Sequence, residues 1–126
     1  MSLTKVTSDV LEARYTNAAV ISGTSGTLSV DWSAAAIYNM ANDLTGAATL
    51  NFTGFVTGQV LTIYALEGAQ TLTLSSDAVS GSTFYKIGAD YDGSSSPNIL
   101  QVECLNDSAN AVFVYTVATS TQDTTP

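Results

Sequence analysis

The sequence predicts an all-β fold, a jelly-roll-like antiparallel β-sandwich, on three observations. Apolar residues recur with a period of two in short runs, Gly- and Asn/Asp-rich turn signals separate those runs, and no stretch sustains a helical period. Strands spaced at roughly ten residues and punctuated in this way are the pattern of sandwiches and jelly rolls. The 126 residues allow one domain with one core.

Taken in order, residues 1–21 are weakly patterned and predict an extended N-terminal arm, in which Val10–Tyr15 has room for one helical turn at most. Residues 22–117 predict the β-sandwich. In Gly26–Trp32, Leu28, Val30 and Trp32 alternate with Thr27, Ser29 and Asp31, and in Ala48–Thr53, Ala48, Leu50 and Phe52 alternate with Thr49, Asn51 and Thr53. Val60–Leu66 is apolar at nearly every position, as expected of a strand covered on both faces. In Gln70–Ser75, Leu72 and Leu74 alternate with Thr71 and Thr73, and two longer strands, Asn98–Leu105 and Ala111–Val117, close the domain. Glu67-Gly68-Ala69 and Asn106–Asn110 read as hairpin connections. No internal repeat stands out. Residues 118–126, ATSTQDTTP, predict a polar C-terminal tail.

Composition excludes several function classes. The net charge is −8, with Lys5, Arg14 and Lys86 the only cations. Such a chain is poorly suited to nucleic acid, whose phosphates must be neutralised by basic patches, or to an anionic membrane surface. No apolar run has the length of a transmembrane helix, and the N-terminus lacks the pattern of a signal peptide, so synthesis in a cytoplasm is expected. Charged residues make up only 11% of the chain, against about 25% in ordinary soluble proteins. Thr, Ser and Asn fill the polar positions instead, which suits a protein that meets identical neighbours or a large assembly.

Catalytic chemistry finds few residues to work with. The chain has no histidine, which removes the commonest general base and rules out Ser–His–Asp and Cys–His systems within one chain. No catalytic residue, cofactor or metal site is expected. Asp90 and Asp92 are the closest carboxylate pair, and Asp-Tyr-Asp-Gly offers hard oxygens for calcium, but the rest of an EF-hand loop is missing and turn-forming aspartates are the expectation. The lone Cys104 lies in an alternating apolar run and reads as a small buried hydrophobe. Trp32 is in phase with Leu28 and Val30, hence core, whereas Tyr38, Tyr85 and Tyr91 are the candidates for a contact surface.

From residue 26 the chain runs GTLSVDWSAAAIYNMANDLTGAATLNFTGFVTGQVLTIYAL. This resembles a pattern in structural proteins of tailed bacteriophages, particularly capsid decoration (cement), head-fibre and tail-fibre modules. The resemblance is carried by Gly26–Ser33, Leu44–Phe52, Gly58-Gln59, Val60–Leu66, Thr71–Leu74, Asp92-Gly93 and Ile99–Val117, and also by the opening Leu3–Glu12. A Trp-Pro and Pro-Gly-Gly loop of many relatives is replaced here by Ser75–Gly81. The resemblance implies a homotrimer on the outside of the virion. On it rests the expectation of a non-enzymatic cement protein that binds the major capsid protein on the outer head surface, with Lys5 and Arg14 in the arm as capsid-docking residues. The alternative it leaves open is a fibre module that recognises a host glycan or receptor.

Overall fold

The computed structural model describes residues 18–94 and 96–125. Among the described residues there are nine strands and no helix: β1 (Ala18–Ile21), β2 (Gly26–Asp31), β3 (Ile37–Met40), β4 (Ala48–Thr53), β5 (Val60–Leu66), β6 (Leu72–Ser76), β7 (Ser82–Gly88), β8 (Asn98–Asn106) and β9 (Ala111–Thr119). They form a six-stranded sheet in the order β1-β3-β5-β8-β9-β7 and a three-stranded sheet in the order β2-β4-β6.

The all-β expectation holds, and two sheets pack around one core. The antiparallel expectation is corrected. From β1 to β6 the chain passes alternately through the larger and the smaller sheet, each pass lying parallel beside the previous one. Only β5–β8 and β8–β9 pair antiparallel, and β7 joins β9 in parallel. A jelly roll is built from antiparallel strands, so the name does not describe these ladders. The Asn106–Asn110 turn is the hairpin expected, but Glu67-Gly68-Ala69 is not. It is a corner that carries the chain from β5 in one sheet to β6 in the other. Gly68 makes the corner at φ +112°, and a Cβ there would strike the Leu44 backbone.

This winding reveals a repeat that the sequence hid. Thr27-Leu28-Ser29, Thr49-Leu50-Asn51 and Thr73-Leu74-Ser75 fall in register on β2, β4 and β6. The leucines stack in one row toward the core, while threonines and Ser29, Asn51 and Ser75 form rows on the outer face, where Ser75 Oγ donates to Asn51 Oδ1 at 2.9 Å. Unequal loops between the copies shift the spacing, so the repeat is three residues long in sequence and a whole coil in space.

The predicted bounds of β4 and β5 match the structure. β1, β3 and β7 were not foreseen: two are four residues long, and β7 carries apolar residues on its solvent side. Ala18–Ile21, assigned to the arm from sequence, is the edge strand of the larger sheet with Ile21 buried, and β9 runs on to Thr119, beyond the predicted start of the tail. β5 is not covered on both faces. Leu61, Ile63 and Leu66 are buried, whereas Val60 and Tyr64 are exposed. A bulge between Ile63 and Leu66, with Ala65 at φ 59°, returns Leu66 to the core side.

Aromatic rings join the two sheets. Phe113 of β9 lies 4.9 Å from Phe84 in a stacked pair, 4.9 Å from Phe55, 5.6 Å from Phe52 and 5.7 Å from Trp32. Trp32 is buried as expected, edge-on to Phe52 at 5.3 Å. Asn98, the single buried polar side chain among the described residues, ties β8 to a neighbouring loop. Its Nδ2 donates toward the carbonyls of Asp92 (2.7 Å), Ser96 (3.1 Å) and Leu66 (3.3 Å).

Candidate interaction face and edge groove

The outer face of the six-stranded sheet is the most unusual surface of the molecule. Eight of the ten exposed large hydrophobic residues among the described residues lie on it: Val20, Ile37, Val60, Tyr64, Tyr85, Ile87, Ile99 and Leu105. Strand alternation puts them there, because their neighbours Ile21, Tyr38, Leu61, Ile63, Phe84, Leu100 and Cys104 point into the core. The register aligns Val60, Glu103, Val114 and Tyr85 across four strands, and Thr62, Gln101, Thr116 and Ile87 beside them. Glu103 is the one charged side chain on this face among the described strand residues. A shallow depression of about 240 Å³ between Val60, Ile87, Gln101 and Val114 marks its centre. Exposed apolar patches of this kind mark contact sites in soluble proteins.

A second feature lies where the sheets fail to match. Three strands cover only part of six, so the inner side of β9 and β7 extends past the edge of β6. The resulting groove, about 440 Å³, has Phe84, Leu100, Tyr115 and Val117 on one wall and Gln70–Leu74 on the other, with Lys86 and Asp90 paired at its mouth.

No known protein family, curated protein or solved structure matches the chain. Function must therefore be argued from these surfaces.

The residues singled out from sequence divide among different places. Tyr38 is not a contact residue: it is buried, and its hydroxyl donates to the Asp31 carbonyl at 2.7 Å. Tyr91 is half-buried, lines the groove, and donates to the Gly68 carbonyl at 2.7 Å. Tyr85 is 59% exposed on the apolar face. The structure thus separates the three tyrosines, and of them only Tyr85 is exposed on the apolar face. β3 was the missing signal for Tyr38, since Tyr38 and Met40 alternate with Ile37 and Asn39. Lys5 and Arg14 lie outside the described residues.

Asp90 pairs with Lys86, and Asp92 accepts from the Ser94 backbone N–H at 3.0 Å and from its hydroxyl. These hydrogen bonds hold the Asp92 carboxyl below its ordinary range. Asp90 therefore ties its loop to β7 and Asp92 acts within its own loop, and no group of three or more metal-ligating side chains occurs among the described residues. No described helix is long and apolar enough to cross a membrane.

Two titrations check these placements. Burial pushes the Cys104 thiol up, so it is expected to react with a thiol reagent in denaturant and to resist it in the native protein. Burial, and then the Asp31 charge, raises Tyr38; burial, and then Glu67, Asp43 and Asp92, raises Tyr91. A folded pKa above the unfolded value means that the stabilising effect is full below about 10 and is lost as pH rises through the folded value. Spectrophotometric alkaline titration should therefore show late-ionising phenols, with one lost in Tyr38→Phe.

Proposed function

We propose that the chain is a non-enzymatic virion structural protein, a capsid decoration protein that binds the outer surface of a phage head as a homotrimer and stabilises it. The observation that carries this reading is the apolar, nearly uncharged face of the six-stranded sheet. In a chain of net charge −8 with 11% charged residues, the described strand residues of one face include a single carboxylate and eight large exposed apolar side chains. β5 makes the point locally: its sequence is that of a strand covered twice, and the described residues cover it once. A second cover supplied by an assembly accounts for that composition. The acidic remainder keeps decorated particles soluble and apart, and many weak footholds on one shell act as a single strong one. The phage resemblance of Gly26–Leu66 supplies the identity of the shell, the major capsid protein.

Co-sedimentation with heads stripped of decoration tests the proposal. Saturation at a stoichiometry comparable to the major capsid protein is expected, and absence of binding overturns it. Replacing Val60 and Tyr85 together by lysine should leave the fold intact, because both side chains are exposed, and should weaken head binding at least tenfold, or about 1.4 kcal/mol. The second reading, a fibre module that binds a host glycan, draws on Tyr85 as an exposed ring. Binding on a glycan array without binding to heads would favour it.

A further inference from the structure

Among the described residues the smaller sheet has three strands, and the place for a fourth is built. Gln70, Thr71, Leu72, Thr73 and Leu74 all line the groove beside β6. Five consecutive residues, alternating between the two sides of the sheet, line one cavity only when it runs along the edge of their strand. The hydrogen bonding agrees. The Ala48 N–H donates to the Thr71 carbonyl at 2.9 Å, and Ala48 is in register with Leu72. In a parallel ladder this directs the backbone groups of Thr71 and Thr73 at β4 and those of Leu72 and Leu74 at the groove. Among the described residues β6 pairs on one side only. A further strand set about 4.8 Å beyond β6 would lie over Phe84, Tyr115 and Val117.

We propose that this groove takes the N-terminal segment, within residues 1–17, of a second copy of the chain, paired to the open edge of β6. Charge admits the segment. Asp90 lines the groove and Tyr91 at its end feels the charges of Glu67, Asp43 and Asp92, whereas residues 1–17 set Lys5 and Arg14 against Asp9 and Glu12 and so contribute nothing to the chain's net charge of −8. Pattern agrees: Val6, Ser8 and Val10 share one side of an extended strand, fit for Phe84 and Tyr115, while Lys5, Thr7 and Asp9 share the other. The C-terminal residues 120–126 offer no large apolar side chain. Position selects the second copy. Residue 18 opens β1, at the opposite edge of the six-stranded sheet from β7 and its groove, so the segment starts at the far side of its own molecule. With Val6–Val10 in the groove, residues 11–17 are left to bridge about 23–25 Å, no more than the width of a six-stranded sheet and short of a path around its own molecule. Such a contact joins two different surfaces, and repeated around an axis it closes a ring. The inference deepens the homotrimer of the proposed function and gives the arm to a neighbouring subunit rather than to the shell.

Paired cysteines test it in the full-length chain without heads present. Thr7→Cys with Thr73→Cys, and Asp9→Cys with Thr73→Cys, sample two registers against the exposed Thr73, while the native Cys104 is buried. The expected result is an oxidant-dependent disulfide between copies in one pair as the major species, with light scattering giving a multiple of the protomer mass. A disulfide within one chain, or no disulfide in either pair together with a protomer mass, overturns the proposal. Head binding of the same proteins is scored separately. Loss of cross-linking with head binding retained removes only the arm exchange, and cross-linking without head binding removes only the decoration function.

Discussion

Replacing Phe113 by alanine is expected to lower the stability of this protein by about 3–5 kcal/mol, the range for deleting a fully buried phenylalanine. The size follows from what the ring joins. The two sheets share no strand pair, so their union rests on side chains and corner loops. Phe113 belongs to β9 of the larger sheet, yet it contacts Trp32 and Phe52, which follow and lie on strands of the smaller one, as well as Phe55 and Phe84. Truncation leaves a void with rigid aromatic walls, and such walls collapse poorly. Phe55 and Phe84 are only half-buried, so their alanine variants should lose less. Urea unfolding of the three variants gives the ranking directly. A loss below about 1.5 kcal/mol for Phe113→Ala would mean that the aromatic cluster does not hold the sheets together.

Asn98→Ala is expected to cost roughly 2–4 kcal/mol, because the buried Leu66 carbonyl left without its donor costs about 1–3 kcal/mol and the bonds to the more exposed Asp92 and Ser96 carbonyls add about 0.5–1.5 kcal/mol each at most. The side chain is fully buried and serves Leu66 at the end of β5, Asp92 and Ser96 at once. Asn98→Leu should be no better, since filling the volume does not satisfy the carbonyls. The loss should also be local in character. Hydrogen exchange is expected to quicken between Asp92 and Pro97 before it does so in β8 and β9. Uniform quickening across the larger sheet would show that Asn98 supports the whole fold instead of this loop.

Much of the fold was legible because its cause is local. Leu28, Val30, Leu50, Phe52 and Val102 alternate with polar neighbours, and a half-buried strand imposes that alternation whatever it pairs with. Parallel and antiparallel strands impose the same alternation, so the pairing was not legible. A three-residue link with a glycine serves a hairpin or a corner equally well, and Glu67-Gly68-Ala69 became a corner through contacts with Leu44 and Gly93, both distant in sequence. Tyr38 was misplaced for want of β3, a strand of four residues whose pattern is too short to read unaided. Asn98 was read as part of a strand, and its role depends on carbonyls brought to it from β5 and a loop.

The sequence by itself determined that this chain is all-β, acidic, short of catalytic groups and built around Trp32, with Cys104 inside. These follow from residue identity and from the period of two, both local quantities. Only the tertiary structure decided the parallel winding, the unequal size of the sheets, the apolar outer face and the open edge of β6. Each of these depends on which strands lie side by side, and that is settled by packing between residues far apart in the chain.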